Sequence, residues 1–492
     1  MDSREAPLRS FVVFCTIIAS LGAFNSGVNT SALNIPGEAV KKCPNVPEGV
    51  ITYYPHSPLP QCIPMGDWIW GVSTGMFAVG GLIGAMGSGY LYNKFGRRDS
   101  MILMNVNFFI GAILLSLATK SAQFAIGRIF VGIGSGFMTC VVSVYVSEIA
   151  PPKYRGALTS TLQLLTTIGI LLIEIISLGL DSAIGWRIVV IITIAPTIVQ
   201  MVVLPFCARS PRWLVNTEFT DMLLGLSKGG EETKANLEDK DSAAGFDNNA
   251  VAKENNAVGG GNDNEGELQL SFAQVFAIPV LAWLTIKIFI INALQQLTGI
   301  NAIMYYSTTI FEASFDHNAK YVTIGVSALN VVLTVIGLSL VDRLGRKTLL
   351  LVSTVGMTIF CVIMTISMKY NISALQVVCI MLYVASFAVG YGMIPYILIG
   401  ECFPTYAVGP ASSGSLAINW LMNFVIGLIF PSLLSACGPY VFLIFAGLSL
   451  FAFAFVLIYI PETKQKSIDE IGRYLGWYGL NIEEELRKKN KA

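Results

Sequence analysis

The chain reads as an all-α membrane protein of twelve transmembrane helices in two pseudo-symmetric six-helix halves, and three observations lead there. Of 492 residues, 54% are hydrophobic and only 13% charged, against about 25% charged in soluble globular domains. Twelve apolar stretches match the roughly 20 residues that a helix needs to cross a bilayer. They fall near 11–35, 68–92, 101–119, 124–148, 157–180 and 187–207, then near 279–311, 321–341, 348–368, 375–402, 411–436 and 440–460. Finally, Asn93-Lys94-Phe95-Gly96-Arg97-Arg98 recurs as Asp342-Arg343-Leu344-Gly345-Arg346-Lys347, 249 residues later. Glu148 with Pro151 recurs as Glu401 with Pro404, 253 residues later. Two matched motifs at nearly one offset signal an internal duplication.

These signals divide the chain into a first half at 1–208, a linker at 209–278, a second half at 279–460 and a tail at 461–492. Of the 31 Lys and Arg, 23 fall with the termini and even-numbered loops and 6 with the odd-numbered loops. Without the six in the long central loop the balance is still 17 to 6. Basic residues stay on the cytoplasmic side, so both termini are expected there. A formal net charge of zero gives no reason to expect a nucleic-acid partner.

Taken in order, the first span runs too long for a signal-peptide core and reads as helix one. The loop after it holds Cys43 and Cys62, where an oxidising compartment would permit a disulfide. The other seven cysteines lie in or beside apolar spans, as small hydrophobes. Gly132, Gly134 and Gly136 in the fourth span suit close helix packing. Glu174 in the fifth is a lone intramembrane carboxylate and so a functional candidate. From about 228 to 270 the composition is too polar to bury a core, which predicts a disordered linker. Lys287 lies within the seventh span without an evident partner, and the charged tail is expected to be helical. Asn371-Ile372-Ser373 is a glycosylation sequon in an odd-numbered loop. Only His56 and His317 occur, with no metal-ligand cluster around them, so an enzyme is the least favoured class and no cofactor is expected.

The most informative stretch is Gln295-Gln296-Leu297-Thr298-Gly299-Ile300-Asn301 followed by Tyr305-Tyr306. It puts amides where hydrocarbon should be, and a buried amide without a partner costs on the order of 2–7 kcal/mol. On an unbroken helix Asn301 lies roughly 140° from Gln296 and 240° from Gln295. One straight helix cannot converge all three. Thr298-Gly299 predicts a break, and discontinuous helices are where transporters expose polar groups to a substrate. The alternative is structural glue between helices.

Gln-Gln-Leu-Thr-Gly-Ile-Asn with Tyr-Tyr resembles the seventh-helix signature of the sugar porter branch of the major facilitator superfamily, close to the animal facilitative glucose transporters. The resemblance runs from the first to the last span except about 217–270, and implies the major facilitator fold. It implies sugar contacts at Gln163, Gln295, Gln296, Asn301, Asn330, Asn419 and Trp420, with Phe387, Gly392 and Tyr396 on a flexible tenth helix. It also implies a cytoplasmic set of ion pairs including Arg97, Glu148, Arg155, Arg346 and Glu401. Several positions depart from the pattern. Asn29 stands where the similar pattern of proton-coupled members has an Asp facing the arginine matched by Arg128, and Asn cannot carry a proton at physiological pH. Val408 replaces the second-half counterpart of Arg155. Ala208-Arg209 precede Ser210 where the family has Pro-Glu, removing an acidic partner. Tyr396 replaces a tryptophan, Ala388 an acidic residue, Gln465 a glycine, and Asn292-Ala293-Leu294 a Gln-Leu-Ser associated with glucose selectivity.

Neutral amides suit a neutral polyol, whereas charged side chains favour ionic ligands. The expected function is facilitative uniport of a hexose, with D-glucose the first choice, in the plasma membrane by alternating access. The partners expected are the monosaccharide and the lipid bilayer. Two other readings stay open: a proton-coupled symporter using Glu174, and a transport-inactive sugar receptor.

Overall fold

Each apolar stretch becomes a helix because a helix satisfies its backbone N–H and C=O groups within the segment, away from water. The structure is a computed structural model and describes residues 8–43, 50–151, 154–210, 214, 270–315, 318–466, 468–480 and 482. In the first half run α1 (Ser10–Ser31), α2 (Asp67–Phe95), α3 (Arg97–Ser116), α4 (Ser121–Ile149), α5 (Arg155–Gly179) and α6 (Gly185–Phe206). In the second, α7 comes in two pieces (Pro279–Leu297 and Ile300–Phe315), followed by α8 (Ala319–Leu344) and α9 (Arg346–Lys369). Next come α10, also in two pieces (Ser373–Val389 and Ile394–Cys402), α11 (Thr405–Cys437) and α12 (Val441–Tyr459). Eleven described stretches are long and apolar enough to cross a membrane. The last of them, Tyr406–Tyr459, contains both α11 and α12, which accounts for twelve helices. The predicted linker from about 228 and the last ten residues of the tail lie outside the described residues. The tail shows one short helix, α13 (Ile468–Leu475).

The duplicated turns sit at one end of the bundle, here called the basic end. Gly96 ends α2 at φ 84° and Gly345 ends α8 at φ 95°, a backbone region that favours glycine. A Cβ on Gly345 would also lie 2.6 Å from the Glu462 carboxylate. The α4 glycines serve packing as expected. A Cβ on Gly132 would stand 2.0 Å from the Phe77 carbonyl of α2, and one on Gly136 2.0 Å from that of Gly81. The halves meet where α2 lies along α11 and α5 along α8.

At the opposite end, the loop end, Cys43 and Cys62 form a disulfide. The described part of the loop they close, from residue 50 on, is held against the start of α6: the Tyr54 hydroxyl donates to the Ala183 carbonyl, and the Trp186 indole to that of Gln61 at 3.0 Å. Arg187, counted with the loop cations, is instead buried at the start of α6. Its guanidinium donates to the carbonyls of Ser116, Pro60 and Ala118. Burial works to raise the Glu38 carboxyl, but ion pairs with Lys41 and Lys42 outweigh it and hold the group below its ordinary value.

Candidate functional site

Both broken helices open at the same level between the halves. α7 breaks at Gly299, φ 97°, and the carbonyl freed at Thr298 accepts the Tyr383 hydroxyl at 2.8 Å. α10 breaks at 390–393, where Gln295 Nε2 donates to the carbonyls of Tyr391 (2.7 Å) and Gly392 (3.2 Å). A broken helix is tolerated in a membrane only where its backbone groups find such partners. The side chain of Gln295 therefore closes one break from beside the other.

From there a chain of amides crosses the site. Asn419 Nδ2 donates to Gln295 Oε1 at 2.6 Å and to the Asn292 carbonyl at 3.1 Å. Gln296 Nε2 donates to Asn419 Oδ1 at 2.9 Å, and Asn301 Nδ2 to Gln296 Oε1. The break at Gly299 is what lets Asn301 reach Gln296. Trp420 stands edge-on to Phe77 at 5.5 Å, and the Arg128 guanidinium lies 4.6 Å from the centroid of the Phe77 ring.

These groups line a cavity of about 120 Å³. Gln163, Gln295, Gln296, Asn301, Asn330, Phe387, Gly392, Tyr396, Asn419 and Trp420 all border it. Gln163 and Asn330 differ from the other amides. Among the described residues neither side chain is committed to a bond within the protein, so both present free donors and acceptors to the cavity. Thr30, Thr139, Thr166 and Thr167 also line it and were missed in the sequence. Thr166 and Thr167 follow Gln163 by three and four residues, the spacing of one helix face, which could have found them. Each spends its hydroxyl proton on its own helix, at the carbonyls of Leu162 and Leu164, leaving oxygen lone pairs for a ligand.

Above the cavity, at the loop end, polar groups tie the halves together. Asn34 Nδ2 donates to Ser307 Oγ at 2.9 Å and to Glu174 Oε1 at 3.1 Å, and Ser31 Oγ to the Met304 carbonyl at 3.4 Å. Lys320 pairs with Asp181. Glu174 is fully buried, reaches no surface, and its second oxygen accepts no hydrogen bond among the described residues. Asn29 and Arg128 are adjacent, but Arg128 donates to the Asn29 carbonyl at 2.9 Å while the Asn29 amide turns to Asn25.

Below it, at the basic end, Arg97 pairs with Glu148 at 2.9 Å and Arg346 with Glu401 at 2.9 Å. Ser210 Oγ donates to the free oxygen of Glu148, and Thr463 Oγ1 to that of Glu401 at 2.6 Å. The Arg155 side chain lies outside the described residues. Val408 is half-buried, and Glu401 is held on both oxygens without an arginine there. Arg209, which stands where the family's pattern has an acidic residue, pairs with Asp99 at 3.2 Å.

A family model described as "Sugar (and other) transporter" matches residues 12–475. The chain belongs to the sugar transporter family. Among relatives of this transporter, the facilitated glucose transporter member 3 of Mus musculus is 33% identical over 483 residues, 94% of this chain and 92% of that protein. The Homo sapiens protein of the same name is 32% identical over 479 residues, with the same coverage. Two solved structures share the fold. The xylose transporter of E. coli, partially occluded and inward-open, superposes with TM-score 0.71 at 23% identity, covering 93% of this chain and all of that one. A proton:xylose symporter bound to 6-bromo-6-deoxy-D-glucose gives 0.72 at 24% identity, covering 95% and 99%. The transporter is thus a multi-pass membrane protein of the major facilitator fold, and not an enzyme.

Proposed function

We propose that this transporter is a uniporter that carries a hexose, glucose first, down its gradient by rocking its halves about the amide-lined cavity. The observation that carries the reading is the chemistry of the lining: amides, hydroxyls and aromatic rings, with no charged side chain among the residues bordering the cavity. Gln163 and Asn330 would take sugar hydroxyls first, because the other amides already hold one another. Trp420, Tyr396 and Phe387 would cover the apolar faces of the ring. The basic-end pairs Arg97–Glu148 and Arg346–Glu401 would hold helix ends in place as the halves 1–208 and 279–460 rock, linked through 209–278. Passive transport is favoured by Asn29, which puts no titratable group beside Arg128, and by the resemblance to facilitative members. By the excess of basic residues, the basic end and both termini face the cytoplasm and the tail 461–492 lies there. The relatives' transport of glucose supports residence in the plasma membrane, with exposed Asn371 carrying a glycan.

A second reading, proton symport, draws on the buried Glu174 with its unpartnered oxygen. Labelled-glucose uptake in cells lacking their own hexose carriers separates the two. Under uniport, uptake saturates, competes with other hexoses and survives a protonophore. Collapse with protonophore, and loss of accumulation in Glu174→Gln, would establish symport. Gln295→Ala or Asn301→Ala is expected to lower uptake roughly tenfold, the effect of stranding one buried hydrogen-bonding group, at unchanged surface expression. Unchanged uptake in both would return the amides to a packing role.

A further inference from the structure

Lys287 takes no part in the transport site. It stands eight residues into α7, on the outer wall of the second half. Among the described residues it makes no ion pair and no hydrogen bond; its ammonium lies 5.4 Å from the centroid of the Trp283 ring, one turn nearer the basic end. Helical side chains lean toward the helix N-terminus, and a lysine inside a span carries its charge toward the nearer interface. Both effects aim this ammonium at the basic-end headgroup level. Trp283 marks that level: it is 52% exposed, meets the half-exposed Tyr459 edge-on at 6.3 Å, and belongs to the residue type that anchors helices at the bilayer interface.

Around this pair the wall is hollow. Pro279, Val280, Trp283, Leu284 and Lys287, one stripe of α7, face Leu475 of α13 across a cavity of about 290 Å³. α13 is held at a distance by its own anchors: Ile471 is buried, and the Trp477 indole just beyond donates to the Cys402 carbonyl at 3.0 Å. The space is therefore bounded by apolar side chains, opens to the bilayer, and carries one cation that meets no counter-charge among the described residues. An acyl chain fits the apolar walls and a phosphate fits the ammonium.

We propose that this cavity binds an anionic phospholipid of the basic-end leaflet, its phosphate on Lys287 and an acyl chain laid along Pro279, Val280, Leu284 and Leu475. The lipid would bridge the start of α7 to the C-terminal helix, whichever solute the transporter carries. It is tested on the purified full-length protein by following the thermal unfolding midpoint with added phosphatidylglycerol, phosphatidylcholine or inorganic phosphate. Phosphatidylglycerol is expected to raise the midpoint above phosphatidylcholine in the wild type and in Lys287→Arg, and to lose at least half of that increment in Lys287→Met. Lys94→Met, at an exposed basic-end position away from the cavity, should keep the increment. An equal increment in Lys287→Met, or the same increment from phosphatidylcholine or inorganic phosphate, would overturn the proposal. If Lys287→Met does not fold, quenching of wild-type tryptophan fluorescence by chain-brominated lipids decides. The part of the signal lost in Trp283→Phe should be quenched more by brominated phosphatidylglycerol than by brominated phosphatidylcholine, and equal quenching would overturn the assignment.

Discussion

The basic ends of the two halves are built from matching parts but wired differently. In the second half, Glu462 accepts the backbone N–H groups of Arg346 (2.9 Å) and Lys347 (3.1 Å) at the start of α9. The matching place in the first half, one residue before the hydroxyl that bonds the paired glutamate, holds Arg209. A cation there would oppose the positive end of α3. Asp99, in the first turn of α3, supplies the negative charge instead, and Arg209 binds it. The acid has moved from the strap to the helix, and the charge balance at the helix start is kept while the residue carrying it is not.

The largest expected effect concerns the pairs common to both ends. Arg97 and Glu148 are 4% and 9% exposed, whereas Arg346 and Glu401 are 11% and 26% exposed. Glu148→Gln strands a buried guanidinium and should cost about 3–5 kcal/mol, read as a lower thermal unfolding midpoint in detergent. Glu401→Gln should cost visibly less; an equal loss would mean that burial does not distinguish the ends. Next, Glu462→Ala removes a carboxylate capping a helix start, with an expected loss of about 0.5–2 kcal/mol. Arg209→Ala breaks only a half-exposed pair, about 0.2–1 kcal/mol. The reverse order would show that the Arg209–Asp99 pair, and not the Glu462 cap, is the stronger strap. The smallest effect is the sharpest: Arg209→Glu alone sets two carboxylates together, and adding Asp99→Asn should recover part of the loss. A coupling of about 0.2–1 kcal/mol is expected from the double-mutant cycle, and additive losses would remove Asp99 from the account.

The fold was legible because it rests on quantities local to the sequence: apolar length, turn glycines at Gly96 and Gly345, and a duplicated motif. The break at Gly299 was legible too, since three amides on a straight helix face different ways. The wiring was not. Arg209 finds Asp99 110 residues away, and Glu174 finds Asn34 140 residues away; nothing in either segment encodes the other. The order of the amide chain was equally hidden, because it depends on rotamers at Gln295 and Gln296 that only α10 and α11 select. Thr166 and Thr167 escaped notice because threonine in an apolar helix commonly bonds its own backbone, which is what their protons do.

The amide chain also sets an order of events during synthesis. Gln295 and Asn419 are 124 residues apart, a gap that takes about 6–25 s to translate at 5–20 residues per second. Throughout that interval the polar groups of α7 lack their α11 partner. The seventh helix must then wait beside water or the insertion machinery, and the second half can lock together only after the eleventh has emerged.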